Sequence, residues 1–300
     1  MFGRIAAIAL ALGLTPIHQF AGFDAPDPSQ AHWAERCEPW DDWDKPGPPF
    51  RIYGNSWYVG TCGISAILIT GDTGHVLIDG GTAKGADLIA TNIAAAGFDI
   101  RDVRIILASH EHDDHVGGLA RLQELSGAAV LSSRRARASL ETGLPSRSDP
   151  QRSIANPYAP IKVAGIAEDN MEIRFGDLRI FGLETPGHTP GAMSWQWAAT
   201  TTTGNAPMTL NYIDSLTPIS SDDYRFSDHQ EYLAEFRHGL ERLKHVGCGI
   251  LLTPHPSASA MQKRMAATGL VEDRLACSEY AVAIEKRLDT RLASESLEVE

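Results

Sequence analysis

The positions 110–115 constrain this chain more than any other part of it. They hold three histidines and two aspartates, namely His110, His112, Asp113, Asp114 and His115. The apolar run 103–108 before them predicts a buried strand, and residues 119–125 after them predict the start of a helix. The cluster therefore lies on a strand-to-helix turn, where side chains can converge on one point. Imidazole and carboxylate groups bind divalent metals such as zinc, so the segment predicts a metal site in an α/β protein.

Composition limits the classes of protein that this chain can belong to. It has 300 residues, of which 43% are hydrophobic and 21% charged, which is ordinary for a globular protein of one large or two small domains. The net charge of -12 argues against nucleic acid as a partner, because no basic patch is available to neutralise phosphates. The densest basic run, 133–137, is interpreted as a solvated helix face.

The first 21 residues differ from the rest of the chain. Arg4 is their one charged side chain, and a ten-residue apolar run from Ile5 to Leu14 is followed by Pro16 and the small residue Ala21. This layout is typical of a secretory signal peptide, and the run is too short to span a bilayer. A core helix at the N-terminus is the alternative. We expect residues 1–21 to be removed on export to the periplasm, leaving one domain over residues 22–300 with no membrane segment.

The chain has four cysteines, and an even number in an oxidising compartment indicates two disulfides. Three pairings are possible for Cys37, Cys62, Cys248 and Cys277. Pairing of neighbours, Cys37 with Cys62 and Cys248 with Cys277, closes two short loops and is the pairing we favour. The cysteines do not form a CxxC pair, which argues against a zinc site built from cysteine.

Hydrophobic periodicity predicts two successive blocks of strands followed by helices. The predicted strands cover residues 50–53, 57–59, 64–70, 75–79, 103–108, 171–175, 178–184, 192–199, 208–214 and 248–253. Helices are expected after Gly81, after a capping box formed by Ser227 and Gln230, and around residues 280–292. Residues 22–50 are expected to be irregular, and residues 143–165 form a long loop of the kind that is often functional. This pattern predicts two packed sheets with helices outside and the metal cluster at the seam.

Two further histidines lie on rigid turns at predicted strand ends. His188 lies within the segment Thr-Pro-Gly-His-Thr-Pro-Gly at 185–191, and His255 within Thr-Pro-His-Pro at 253–256. Proline and glycine fix such turns, which favours a positioned ligand. Since a single site rarely uses five adjacent ligands, the 110–115 cluster predicts two metals, and these histidines would complete them.

Together, the segments Ser-His-Glu-His-Asp-Asp-His-Val-Gly-Gly, Thr-Pro-Gly-His-Thr-Pro-Gly and Thr-Pro-His-Pro resemble the metallo-β-lactamase superfamily. The segment 75–81, a predicted strand that ends in Asp79, is also similar to the superfamily's strand that ends in a buried structural aspartate. The resemblance covers about residues 47–295. It implies a four-layer αβ/βα sandwich with two mixed sheets, outer helices and a dinuclear metal site at one edge.

Finer features resemble the class B, subclass 3 β-lactamases. These are Tyr-Ile-Asp-Ser-Leu-Thr at 212–217, Gly-Ala-Met-Ser-Trp at 191–195, Tyr-Arg-Phe-Ser-Asp-His at 224–229, and the placement of Cys248 and Cys277, which matches a subclass disulfide. The alternative within the superfamily is a glyoxalase-II-like thioesterase or a lactonase, in which an aspartate bridges the metals. Because Asp214 adjoins Ser215, a shift of one residue would exchange these two interpretations.

The resemblance implies hydrolysis of the β-lactam amide bond of antibiotics by a metal-bound hydroxide, with two Zn²⁺ per chain. His110, His112 and His188 would hold the first zinc, and Asp114, His115 and His255 the second. Asp114 would also orient the hydroxide, Ser215 and Thr217 would bind the substrate carboxylate, and Tyr224 would donate to the developing oxyanion. Trp57 and the loop 143–165 are expected to wall the pocket, and Glu111 and Asp113 to point away from it. A monomer is expected, and a non-catalytic zinc-binding scaffold is the alternative from another class.

Overall fold

The computed structural model of the chain describes residues 27–201 and 206–297. The predicted signal peptide, residues 1–21, lies outside the described residues. Within the described ranges, no helix has both the length and the apolar character that crossing a membrane requires.

The first half of the chain builds a seven-stranded sheet. Its strands, in spatial as well as chain order, are β1 (Phe50–Tyr53), β2 (Ser56–Tyr58), β3 (Ile67–Gly71), β4 (Gly74–Ile78), β5 (Val103–Leu107), β6 (Ala129–Ser132) and β7 (Val163–Ile166). Strands β1 to β4 pair antiparallel, and β4 to β7 pair parallel. Parallel neighbours need crossover connections, so helices follow β4, β5 and β6.

The second half builds a five-stranded sheet. Its strands are β8 (Glu172–Phe175), β9 (Leu178–Glu184), β10 (Met193–Ala199), β11 (Met208–Tyr212) and β12 (Ile250–Leu252), arranged in the order β12-β11-β10-β9-β8. The pair β11 and β12 is parallel, and the other pairs are antiparallel. Both sheets are therefore mixed, as predicted.

Eight α-helices accompany the sheets within the described residues. They are α1 (Pro28–Arg36), α2 (Gly85–Ala95), α3 (Asp113–Val116), α4 (Leu119–Ser126), α5 (Arg137–Thr142), α6 (Gln230–Lys244), α7 (Met261–Ala267) and α8 (Ala276–Leu297). Helix α4 ends at Gly127, whose φ of 73° closes the helix in the left-handed conformation that glycine adopts without strain.

Alternation of side chains along the strands creates the layers. Ile67 and Ile69 of β3 face the core between the two sheets, while Leu68 faces the core beneath α2 and α4. On the other side, α6 and α8 bury Phe236 and Ile284 in a third core against the second sheet. Each fully buried aliphatic side chain contributes about 1.5–3 kcal/mol to stability. The result is the predicted sandwich of helices, sheet, sheet and helices.

Two local expectations are wrong. Residues 22–50 are not wholly irregular, because α1 begins after Asp27, whose carboxylate accepts a hydrogen bond from Ser29 N at 2.9 Å, and Trp33 on that helix is fully buried. The capping box of Ser227 and Gln230 does not form. Helix α6 begins at Gln230 with His229 at its N-cap and no side-chain cap, and Ser227 lies in a preceding 3₁₀ turn.

The cysteines pair as neighbours. Cys37 is bonded to Cys62, and Cys248 to Cys277, which confirms the favoured pairing. The first bond ties α1 to the segment before β3, and the second ties the segment before β12 to the start of α8.

Candidate metal centre

The predicted ligand cluster follows β5, at the edge where the two sheets meet. The chain stays extended through His112 (φ -84°, ψ 152°) and then turns into the single-turn helix α3. Extended backbone sends His110 and His112 to the same side, and their ring centroids lie 5.0 Å apart. The helical turn then brings Asp114 and His115 back, so that the rings of His110 and His115 lie 4.3 Å apart.

His188 joins the first pair of histidines. It lies on the turn between β9 and β10, and its ring centroid is 4.8 Å from that of His110 and 5.0 Å from that of His112. One nitrogen from each of these three buried rings lies within 4.8 Å of the others. This spacing suits three ligands around one ion.

Asp114 is the centre of a second group. Its Oδ2 lies 3.0 Å from His115 Nε2 and 3.2 Å from His255 Nε2, and the rings of His115 and His255 are 4.9 Å apart. His110, Asp114 and His115 also have ligand atoms within 4.8 Å of one another. The structure therefore brings all six predicted ligands together, with His110 close to both groups.

The outward nitrogens of the first three histidines each have a partner. His110 Nδ1 donates to Asp214 Oδ1 at 2.7 Å, His112 Nε2 to Asp149 Oδ2 at 3.0 Å, and His188 Nδ1 to Thr217 O at 3.0 Å. A ring nitrogen that donates to an oxygen carries the proton, so the other nitrogen keeps its lone pair. The lone pairs of His110 Nε2, His112 Nδ1 and His188 Nε2 are therefore available to a metal.

Electrostatics favour neutral rings for His110 and His188, whereas at His112 burial is outweighed by the hydrogen bond to Asp149, which raises the pKa. Burial, together with the neighbouring His115 and His112, lowers the pKa of His110 well below its usual value. Burial and the neighbouring His110 lower the pKa of His188 to about 3. Neutral imidazole is the form that binds metal. His110 Nε2 is also buried without a hydrogen-bond partner in the described part of the chain, an arrangement that a metal ion would satisfy. The donor set thus fits zinc.

Asp79 supports the ligand segment from below. It follows β4 with a φ of 62°, and its carboxylate accepts hydrogen bonds from Ser109 N, Ser109 Oγ and Tyr212 OH, each at 2.7 Å. Burial raises the pKa of Asp79 to about 6 against the opposing effects of His115 and these donors. Because Tyr212 belongs to the second sheet, this carboxylate links both sheets directly beneath the cluster.

Asp214 and Ser215 occupy different environments. Asp214 is fully buried and faces the outward nitrogen of His110, on the side away from the ligand atoms. Ser215 lines the cleft above the cluster, and its Oγ is buried without a hydrogen-bond partner among the described residues. Asp214 is therefore bonded to the back of the His110 ring and does not lie among the predicted ligand atoms.

A cleft of about 290 Å³ opens over the histidines. The loop 143–165 contributes Gln151 and Ile154 to its wall, in agreement with the prediction. Trp40 and Trp43 form the opposite wall, with ring centroids 6.2 and 6.1 Å from that of His255. Trp57 instead packs against Phe98 at 5.4 Å, so its predicted place in the wall is wrong.

The remaining predicted site residues differ in position. Thr217 lines the cleft, and its Oγ1 lies 2.9 Å from His188 Nδ1. Tyr224 stacks on His229 with ring centroids 4.3 Å apart, and its catalytic role stays a prediction. Asp113 lines the cleft, contrary to the expectation that it points away. Glu111 is buried, and its carboxylate is bound to Thr189 and Gly191 and does not line the cleft.

Sequence reasoning missed the residues that support the ligands. The sequence pattern does not connect Asp149 and Asp214 with the histidines, although each lies in a segment that the pattern indicates to be functional. The tryptophans of the cleft also had a visible signal, because Trp-Asp-Asp-Trp at 40–43 places two aromatic residues in an exposed acidic segment.

One curated relative matches part of the chain. A hydroxyacylglutathione hydrolase from Pseudomonas paraeruginosa is 34% identical over 96 residues, which are 32% of this chain. The match spans 29% of that relative's own length. It indicates shared ancestry over the matched segment only.

Solved structures match nearly the whole chain. The MIM-2 metallo-beta-lactamase is 51% identical with a TM-score of 0.85, over 90% of this chain and 99% of that one. MEM-A1, a subclass B3 metallo-beta-lactamase isolated from a soil metagenome library, is 38% identical with a TM-score of 0.81, over 86% of this chain and all of that one (100%). A family model of the metallo-beta-lactamase superfamily matches residues 59–203. With the sandwich fold and the paired ligand groups, these matches establish that the chain belongs to the metallo-beta-lactamase family and resembles its subclass B3 members.

Proposed function

We propose that this protein hydrolyses the amide bond of β-lactam antibiotics with the help of zinc. The single observation that carries the proposal is the division of roles between Asp214 and Ser215. Asp214 is bonded to the outward nitrogen of His110, while Ser215 presents an unpartnered hydroxyl to the cleft. A bridging aspartate, which a thioesterase or lactonase of this superfamily would need, is therefore missing from this position of the described chain. The likeness to β-lactamases over nearly the full length supports the same conclusion.

We infer two zinc ions per chain. His110, His112 and His188 would hold the first, and Asp114, His115 and His255 the second, with open positions left for solvent and substrate as in catalytic zinc sites. The grouping of ligand atoms within 4.8 Å supports the first set. For the second set, the support is the approach of His115 and His255 to the same Asp114 oxygen.

Bound zinc would polarise the substrate carbonyl and lower the pKa of a water molecule toward about 7. The chain's own residues then determine where that water lies. Burial alone would raise the pKa of Asp114, but His115 and His255 outweigh it and hold the pKa well below its usual value. Asp114 is therefore ionised, and its carboxylate can accept a hydrogen bond from the attacking water and orient it.

The cleft supplies the contacts to the substrate. Ser215 Oγ is the available donor for the substrate carboxylate. Thr217 has its hydroxyl near His188 Nδ1, so its contribution includes holding that ring. We propose Tyr224 as only a weak donor to the developing oxyanion, because its ring is stacked on His229. The apolar faces of Trp40 and Trp43 would bury the ring system of the substrate.

A hydrolysis screen tests the proposal. Zinc-loaded protein is assayed against penicillin, cephalosporin, carbapenem, homoserine lactone and glutathione thioester substrates, with and without chelator. We expect β-lactam hydrolysis that chelation abolishes and added Zn²⁺ restores. Cleavage of the lactone or thioester with intact β-lactams would overturn the proposal, and zinc binding without any turnover would favour the scaffold alternative.

A serine variant tests the substrate contact. A hydrogen bond to a charged group contributes about 1.5–3 kcal/mol, so Ser215→Ala should raise KM about 10- to 100-fold with zinc content unchanged. Ser296→Ala, which changes an exposed serine on α8, is the matched control. An unchanged KM for Ser215→Ala would remove Ser215 from the binding site.

We also propose that the protein is exported to the periplasm as a monomer. The charge and apolar pattern of residues 1–21 and the two disulfides support export, because disulfides persist in oxidising compartments. N-terminal sequencing of the protein from a periplasmic extract would give the cleavage position. Sedimentation of the purified protein would give its mass in solution.

A further inference from the structure

Glu111 lies between two predicted ligands in the sequence, yet the proposed reaction gives it no role. Its side chain is 1% exposed and does not line the cleft. Burial of a carboxylate is costly unless hydrogen bonds compensate it. The position therefore needs a physical reason.

The carboxylate is bound to the turn that carries His188. Glu111 Oε2 accepts a hydrogen bond from Thr189 Oγ1 at 2.6 Å, and Oε1 accepts one from Gly191 N at 3.0 Å. Thr189 is itself fully buried. The two oxygens of one side chain thus hold two points of the turn that begins directly after His188, 78 residues away in sequence.

The approach is possible because residue 191 is glycine. A Cβ built there would lie 2.7 Å from Glu111 Oε2 and 2.6 Å from the backbone nitrogen of Ala136. Such contacts are too short for any side chain, so the turn can lie against Glu111 only without one. The backbone at the start of β10 is also joined to the segment before His110, since Met193 N donates to Ser109 O at 2.6 Å. That bond holds the base of the turn, and Glu111 holds the part next to His188.

We infer that Glu111 is a positioning residue that sets the distance from His188 to the His110 and His112 pair, and thereby shapes the first zinc site. The inference rests on the proposed zinc-dependent function. Zinc requires its ligands within about 0.2 Å of ideal distances, so a displaced turn weakens binding even when all three histidines remain. Partners of this kind change metal affinity or activity about 10- to 100-fold when they are mutated.

The first measurement is zinc affinity, by titration against a competing chelator, for Glu111→Gln, Glu111→Leu and a control. Glu168→Gln is the matched control, because Glu168 pairs with Arg134 on the exposed surface. We expect Glu111→Leu to weaken the first site about 10- to 100-fold and Glu111→Gln less, since an amide oxygen still accepts one bond. The control should match the wild type.

A titration in the His255→Ala background isolates the first site, and the visible spectrum of the Co²⁺ protein reports its ligand geometry. We expect the Co²⁺ spectrum of Glu111→Gln to change, which a general loss of stability alone would not cause. Melting of the metal-free proteins, with circular dichroism, identifies any variant that fails to fold. Glu111→Gln and Thr189→Val nearly preserve side-chain shape and remain informative if Glu111→Leu does not fold.

A double-mutant cycle with Thr189→Val completes the test. If both residues act through the same bond, Glu111→Gln should lower zinc affinity by a smaller factor in the Thr189→Val background than alone. Wild-type affinity and spectrum for the Glu111 variants, or independent factors in the cycle, would overturn the inference. These readouts use Zn²⁺ and Co²⁺ alone, so a protein that binds zinc but leaves β-lactams intact would refute the proposed function without affecting this test.

Discussion

The two halves of the metal centre are held in different ways. In the half formed by His110, His112 and His188, each outward nitrogen is hydrogen-bonded at 3.0 Å or less. In the other half, His115 Nδ1 lies 3.8 Å from Asp79 Oδ2, beyond hydrogen-bond distance. His255 is partly exposed and packs beside two tryptophans.

This difference has a physical consequence. Hydrogen bonds fix the tautomer and the angle of a ring, so the first half is preorganised for metal. The second half depends on packing and on one shared carboxylate, so it can adjust when a substrate arrives. We therefore expect the first half to hold its zinc more tightly.

The largest expected effect comes from removing a ligand from each half. His188→Ala should lose one zinc. Its β-lactam turnover should fall by more than about 100-fold, which is the upper end of the effect of mutating residues that support a metal ligand. His255→Ala should also lose one zinc but keep measurable turnover. Zinc content by mass spectrometry of the folded protein and kcat together check this. Greater loss in His255→Ala would reverse the comparison.

The next largest effect is expected from Asp214 and Asp149, whose carboxylates bind the outward nitrogens of His110 and His112. Asp214→Asn and Asp149→Asn should each weaken the first zinc about 10-fold or more, because an amide can present its NH₂ to the ring and favour the wrong tautomer. The second zinc should bind as in the wild type. Stepwise chelator titration measures both sites. Equal weakening of both zincs would show that these aspartates support the whole centre.

A smaller effect is expected from Glu295, a buried carboxylate on α8. Glu295, 2% exposed near the end of α8, accepts hydrogen bonds from Phe226 N at 3.0 Å, Ser227 N at 2.8 Å and Arg291 Nε at 2.7 Å. It thus holds the 3₁₀ turn at Phe226–Asp228, which directly precedes α6. Glu295→Gln should lower the free energy of unfolding by about 1–3 kcal/mol near neutral pH. Chemical unfolding of both proteins measures this.

The same variant makes a pH prediction with a defined sign. Burial would raise the pKa of Glu295, but the hydrogen bonds from Ser227, Phe226 and Arg291 outweigh it and hold the pKa below its usual value. Its stabilising contribution is therefore fully present above the unfolded pKa and is lost as the pH falls through the lower, folded value. The difference between Glu295→Gln and the wild type should shrink in acid, and a difference that grows there would contradict the interpretation.

The smallest expected effect is that of Tyr224→Phe. The ring stacks on His229 and the change removes only the hydroxyl. We expect kcat to fall less than about tenfold, whereas loss of an oxyanion donor costs about 100- to 1,000-fold. Steady-state kinetics distinguish these outcomes, and a loss of 100-fold or more would establish Tyr224 as the donor.

Much of the fold could be predicted because its signals are local. The sequence predicts strand β10 over residues 192–199, and the strand lies at Met193–Ala199, since alternation along one strand decides which face is buried. The sequence does not predict helix α1, although Asp27 and Pro28 form a helix start, because the surrounding prolines and acidic residues indicate a loop. The capping box does not form because the backbone nitrogen of Ser227 donates its hydrogen bond to Glu295, on the distant helix α8.

The sequence by itself determined the metal chemistry, because three histidines and an aspartate within six residues need only one turn of backbone to converge. It also determined the sandwich, because hydrophobic residues recur every two positions in the strands and about every 3.6 positions in the helices. Tertiary structure alone decided what Asp214 and Glu111 do, since their partners lie 104 and 78 residues away. A side chain's type can be known from its letter, but whether it binds a metal, orients a ligand or holds a turn depends on which distant backbone folding brings to it.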